Sequence, residues 1–230
     1  MTAIANVIKD RKVYLGGVDL SGDENEVVMT LEIDQKESTT FPDDCHTSTP
    51  GLAKVTLNQK GFLTFGEDMV DEALVNRLGT AGVPVSVTTL KGAVGEVAYF
   101  TKAWGANYTP KIAVGELSSF DFSMSQDAGD VVRGTILFAK GALAGGVHSS
   151  LSYNLGAVAE GSRVYAAVHV FDGTAAVAIK CGGAAEISFN AMTGPESGFK
   201  FHDGPIVGTS WSADVTVTGS ATVVVVIGIV

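Results

Sequence analysis

Apolar and polar residues alternate along this chain with a period of two, and that feature limits its fold more than any other. Val27, Met29, Leu31 and Ile33 point one way; Val28, Thr30, Glu32 and Asp34 point the other. Only an extended strand separates neighbours onto opposite faces, so this segment reads as a half-buried strand. The pattern returns in Phe120, Phe122 and Met124 against Asp121, Ser123 and Ser125. It returns again in Val132, Gly134, Ile136 and Phe138. Shorter strands fit 12–15, 54–57, 85–90 and 96–103. With 28 glycines and 6 prolines, the chain has the turn chemistry that short strands need.

One segment departs from this period. Between Glu67 and Gly79 the apolar residues Val70, Ala73, Leu74 and Leu78 fall at helical spacing. Acids fill the first turns, Arg77 lies in the last, and Gly79 follows as a C-cap. The spacing predicts one amphipathic helix over 67–78, packed on a sheet through a structural core of Val70, Leu74 and Leu78.

Charge divides the chain unevenly. Residues 1–140 hold 12 of the 15 Lys and Arg and 19 of the 25 Asp and Glu. The change falls at the small, Gly-rich run Lys140-Gly141-Ala142-Leu143-Ala144-Gly145-Gly146, which reads as a linker. The expected domains are therefore 1–140 and 141–230. In the second, strands are expected at 150–155, 163–171, 175–181, 186–191, 199–202, 212–218 and 222–227. Turns such as Asp172-Gly173, Gly182-Gly183, Thr193-Gly194-Pro195 and Asp203-Gly204-Pro205 separate them. About seven short strands at this spacing fit a β-sandwich or jelly roll. The fold class is mainly β, with one helix in the first part.

The formal net charge of −10 makes the surface a poor partner for phosphate backbones, since nucleic-acid binding needs Lys and Arg to release counterions. The single basic cluster, Lys9-Asp10-Arg11-Lys12, reads as a solvated segment. Cys45 and Cys181 are too few for a disulfide framework and read as free thiols in a reducing compartment. The opening residues place their charges after a short apolar stretch, the reverse of a signal peptide. The apolar run 221–230 is too short to span a bilayer and reads as a buried strand, so no membrane insertion is expected.

Catalytic patterns are missing from the sequence. It has no Gly-Xaa-Ser-Xaa-Gly elbow, no Walker loop and no Gly-Xaa-Gly-Xaa-Xaa-Gly. Of His46, His148, His169 and His202, only His46 has another His or Cys close by, Cys45, and adjacent loop residues rarely ligate one metal. His169 shares a strand face with Tyr165 and Phe171 and reads as a hydrogen-bonded core or interface histidine. Asp43-Asp44 and Glu67-Asp68 are explained by solvent or capping. Trp104 and Trp211 are candidate sugar-stacking residues, with Trp211 beside a turn. No enzyme activity, cofactor or metal is expected; an enzyme reading would rest on His169 or Asp214.

The polar stretch 35–51 is long for a loop in a compact domain, and Phe41 stands apolar in its middle. It reads either as a loop folded over its own domain or as an arm that docks on a neighbouring subunit. The run Val13-Tyr14-Leu15-Gly16-Gly17-Val18-Asp19-Leu20-Ser21-Gly22-Asp23, the strand Val27–Ile33, Thr39-Thr40-Phe41, Pro50-Gly51-Leu52 and Gly61-Phe62 follow one another in this order. Over about residues 13–140 this succession resembles the major tail tube proteins of long-tailed bacteriophages. In that family a Gly often follows Thr-Thr-Phe, where this chain has Pro42. The resemblance implies a β-sandwich or barrel with one flanking helix. It implies hexameric rings of the chain itself, stacked into a virion tail tube through which DNA passes without specific binding. The implied ring-stacking loop contains Thr39, Thr40, Phe41, Pro50, Gly51 and Leu52. The other implied partners are the tape measure, tail terminator and tail tip proteins, met after synthesis in the host cytoplasm. Residues 141–230 are similar to the extra β domains of some tail proteins. The alternatives are another virion decoration or baseplate protein, and a carbohydrate-binding module for host-surface adhesion.

Overall fold

The alternating segments become antiparallel strands, and the chain is mainly β with one short helix. The computed structural model describes residues 11–37, 48–66, 69–127 and 131–230. They form two compact units. One is drawn from residues 1–22, 82–102 and 129–230, the other from 23–81 and 103–128.

The first unit holds β1 (Val13–Leu15), β2 (Val18–Asp19), β5 (Val83–Thr88), β8 (Val132–Phe138), β9 (Ala142–Ser149), β10 (Tyr153–Asn154), β11 (Arg163–Cys181), β12 (Ala184–Thr193), β13 (Glu196–Asp203) and β14 (Ser210–Ile229). The second holds β3 (Glu24–Glu37), β4 (Ser48–Phe62), α1 (Val70–Val75) and β7 (Ser119–Gln126). Strand β6 (Val97–Lys111) begins in the first unit and ends in the second.

The first unit is organised around β11 and β14, which pair along nearly their whole lengths, from Val164↔Ile229 to Cys181↔Trp211. Successive residues of this pair enter different cores. Val164, Ala166, Val168 and Val170 join Val223, Val225 and Ile227 in one apolar cluster, with Trp211, Ile179 and Phe189. Tyr165 and Ala167 join Val224 and Val226 in another, with Tyr14, Phe100, Val132 and Ile136. A strand pair buried on both faces needs apolar residues at every position, which explains the run Val223–Ile227.

Here the structure corrects one expected turn. Asp172-Gly173 does not separate two strands; it is a bulged bend inside the continuous β11. Gly173 takes φ +67°, and a Cβ there would sit 1.8 Å from the Ser220 carbonyl oxygen. Asp172 accepts hydrogen bonds from the Thr222 backbone N–H (2.6 Å) and the Thr222 hydroxyl (3.0 Å), tying the bend to β14. The expected strands 212–218 and 222–227 are likewise one strand. The expected linker is also strand: β9 starts at Ala142 and pairs with β14, as β8 does on the other side of residue 140. The compact units therefore do not divide at 140.

In the second unit β3, β4, β7 and β6 lie side by side. Leu57, Phe120, Phe122 and Met124 of the sheet are buried, as are Val70 and Leu74 of α1. The Tyr108 hydroxyl on β6 donates to Asp71, holding the helix against the sheet. The helix is shorter than the spacing predicts. After Val75 the bonds change to Arg77 N–H to Leu74 O (3.1 Å) and Leu78 N–H to Val75 O (3.1 Å), the tighter i→i+3 pattern. Leu78 then forms a parallel bridge to Gly105 and is 39% exposed, so it is not part of the helix core. Gly79 does take the left-handed φ of +68°, but its N–H bonds Gly105 on β6 rather than a helix carbonyl.

Candidate assembly surface

The second unit presents a four-stranded antiparallel sheet in the order β3–β4–β7–β6. Among the described residues the strand ladder of β3 is with β4 alone, which makes β3 an edge strand of this sheet. Strand β3 carries exposed Glu32, Asp34 and Glu37 against Lys36, with Glu26 paired to Lys60 and the Glu24 carboxylate buried.

The β3–β4 hairpin outruns the sheet. Strand β7 pairs with β4 only from Thr56 to Phe62. Beyond Thr30↔Thr56 the ladder continues as two strands, through Leu31↔Val55 and Ile33↔Ala53 to Glu37↔Ser48. Leu31 is 58% exposed and Ile33 62%. The alternation of the partly buried Val27 and Met29 thus continues through Leu31 and Ile33, whose side chains are exposed. The hairpin is an arm with an apolar stripe.

Only some of the predicted site residues fall among the described ones. Pro50, Gly51 and Leu52 fall on β4 within the arm, Pro50 opposite Gln35. Thr39, Thr40 and Phe41 lie outside the described residues, as do Asp43, Asp44, Cys45 and His46 and the pair Glu67-Asp68. Val70 and Leu74 are buried, while Leu78 is not.

The sheet's other face is polar. Glu26, Val28, Asn58, Lys60, Asn107 and Asp121 line a shallow depression of about 500 Å³. Lys60 bonds Glu26 at 2.9 Å, which raises its pKa, and Lys111 pairs with Asp121. These two cations of the face are therefore matched by carboxylates.

At the end of the sheet opposite the arm, apolar side chains collect in solvent. Phe62 closes β4 opposite Ser119, and Leu63 N–H bonds the Ser118 carbonyl (2.9 Å). The β6–β7 connection, 112–118, begins here with Ile112 69% exposed, Val114 fully exposed and Leu117 79% exposed; Phe62 and Phe65 are about half exposed. Periodicity does not reveal this cluster, because it lies in a turn. The available signal was Ile112, Val114 and Leu117 standing in a Gly-containing connection where polar residues are usual.

The remaining candidates are structural. His169 is fully buried, with Nε2 2.8 Å from the Ser86 hydroxyl, and burial lowers its pKa to about 3. Asp214 pairs with Lys180, and that bond lowers its pKa. Trp211 is 0% exposed and donates Nε1–H to the Gly156 carbonyl at 2.9 Å, so it offers no ring to a sugar. Trp104 is partly exposed on β6. His148 lies 2.7 Å from the Ala144 carbonyl, and His202 3.9 Å from Glu186. Among the described residues no group of three or more His, Cys, Asp or Glu is placed to hold a metal. Nor is any helix among them long and apolar enough to cross a membrane.

No family model matches the chain, and no curated protein matches it. Solved structures similar to it include a chain from the virion of a native gene transfer agent particle, with a TM-score of 0.44 and 11% identity over 56% of this chain and 98% of that one. Another is a chain from the tail of an empty gene transfer agent particle with C6 symmetry, with a TM-score of 0.39 and 9% identity over 48% and 81%. A third is the SPP1 Dit protein, of a hub adsorption apparatus in phages that infect Gram-positive bacteria, with a TM-score of 0.39 and 11% identity over 96% and 100%.

Proposed function

We propose that the chain is a structural subunit of a phage-type virion tail, forming hexameric rings that stack into a tube for DNA. The observation that carries this reading is the four-stranded sheet with β3 as its edge strand and an arm reaching past it. The ordered motifs from Val13 to Phe62 support it from the sequence side.

An edge strand is a template for pairing. The acids along β3 disfavour β3 pairing with its own copy, because two such edges repel. Pairing with a different edge of the next subunit is heterologous, and heterologous contacts close into rings. In the tube, the polar face of the sheet gives DNA no unmatched row of cations at Lys60 and Lys111, so phosphates are not held. The arm, with Pro50, Gly51 and Leu52 on it, makes the ring-to-ring contact together with Thr39, Thr40 and Phe41 of the segment that joins its two strands in sequence. The other unit, which takes in residues 141–230, decorates the tube.

Negative-stain electron microscopy beside size-exclusion chromatography at rising concentration tests the reading. Rings and hollow tubes are expected. Phe41→Asp is expected to leave the melting curve unchanged and stop tube growth. A chain that stays monomeric at all concentrations overturns the proposal, and rings that never stack indicate a terminal hub component instead.

A further inference from the structure

We infer that the exposed apolar cluster at the far end of the second unit's sheet is the acceptor for the arm of a second copy of this chain. The inference rests on the tube reading and adds to it the surface on which the arm lands.

The arm and the cluster occupy the two ends of one strand. Arm residues lie toward Ser48 of β4, and Phe62 ends the same strand. Fifteen residues at about 3.3 Å each separate the ends by roughly 45–50 Å. A copy displaced along the strand direction by one subunit brings its arm to this end. Such a contact joins two different surfaces and repeats without closing on itself, which is the geometry of a growing stack.

The chemistry of the two surfaces matches. The arm's stripe, Leu31 and Ile33, continues the apolar alternation of the partly buried Val27 and Met29 into solvent. The acceptor, Phe62, Phe65, Ile112, Val114 and Leu117, is apolar where a solvated turn is ordinarily polar. Each of these side chains turns on the order of 100 Å² outward, giving a patch of several hundred Å², the size that marks an interaction site.

The area also selects the kind of partner. A stable pair of proteins buries about 1,200–2,000 Å². One arm on one cluster falls short of that, so a lone pair of chains separates readily. Several such contacts made in parallel, as between two rings, hold together because each one raises the effective concentration of the next. A free peptide or an unrelated protein docking singly lacks that reinforcement.

Two variant chains test this. In the arm variant Leu31→Glu and Ile33→Glu are combined; in the acceptor variant Val114→Glu and Leu117→Glu. All four positions are exposed, and unchanged melting temperatures verify the fold. Each variant alone is expected to form rings but lose at least tenfold in tube yield. Preformed rings of the two variants, mixed in equal amounts, are expected to give stacks of two rings and no longer, because only one arm–acceptor pairing remains intact. If the acceptor variant grows tubes at the wild-type yield while the arm variant does not, the acceptor is wrong and the arm reading stands. If the wild-type chain forms no tubes, both fall together.

Discussion

Two residues, one buried and one at an exposed bend, show how closely this chain is fitted together. His169 is enclosed by the first unit's core beside Tyr14 and Phe171, with the Ser86 hydroxyl on Nε2 and no partner on Nδ1. Burial disfavours the charged ring and lowers its pKa from 6.5 to about 3. Below pH 6.5 the unfolded chain therefore binds a proton that the folded chain refuses. Stability is full above pH 6.5 and declines as pH falls toward 3, by up to about 1.4 kcal/mol per pH unit for this one group. Asp19 and Asp214 act at lower pH. Their pKa values are lowered from 3.8, so their contribution is present above that value and is lost as pH falls through the folded one. Thermal melts between pH 7 and 4.5 should show a steady fall in Tm that His169→Gln removes. A wild-type Tm flat over that range contradicts the assignment. Gly173 is the second case. Alanine there has to adopt a left-handed φ and meet the Ser220 carbonyl. Gly173→Ala should cost more than about 3 kcal/mol in urea denaturation; a loss below about 1 kcal/mol shows that the bend has another solution.

At the scale of elements, the sequence reveals strands that bury one face and conceals those that do otherwise. Phe120, Phe122 and Met124 are all buried, with their polar neighbours half-exposed, as alternation predicts. Strands β11 and β14 are buried on both sides over 164–170 and 223–227, alternate elsewhere, and meet at a bend whose Asp-Gly chemistry is that of a turn, so each reads as two short strands. The arm is legible as strand but not as arm, because Val27, Met29, Leu31 and Ile33 look alike whether or not a core lies beneath them. The helix is legible through Val70 and Leu74. Its end is not, since the backbone of Gly105 on β6 takes over at Gly79. These differences set a contrast for mutation. Leu74→Ala removes a fully buried side chain and should cost about 2–5 kcal/mol. Leu78→Ala, on a side chain 39% exposed, should cost less than about 1 kcal/mol. Equal losses at both positions indicate that the helix extends as the spacing alone predicts.

For the whole molecule, composition places a boundary where packing places none. Charge thins after residue 140 where β11 and β14 carry stretches, 164–170 and 223–227, that are buried on both faces. The second half shares its cores with sequence far away. Tyr14, Ala98, Phe100, Val132 and Ile136 pack with Tyr165, Ala167, Val224 and Val226, and Leu137 enters the larger cluster. Strand β8 pairs with β14 at Val225–Ile227, and Ser86 supplies the hydrogen bond of His169. A fragment of residues 141–230 loses all of these at once. It exposes one face of Val224 and Val226, frees the ladder edge of β14 and leaves the His169 ring without a partner. Each unsatisfied buried group costs about 1–3 kcal/mol, and each vacated core position a similar amount or more, against a total stability of about 5–15 kcal/mol for a typical domain. The isolated fragment should therefore show no cooperative melting by circular dichroism and should aggregate through its open apolar strands. A sharp, reversible melt from 141–230 alone establishes instead that these residues form a self-sufficient sandwich, with the shared cores as a later addition to it.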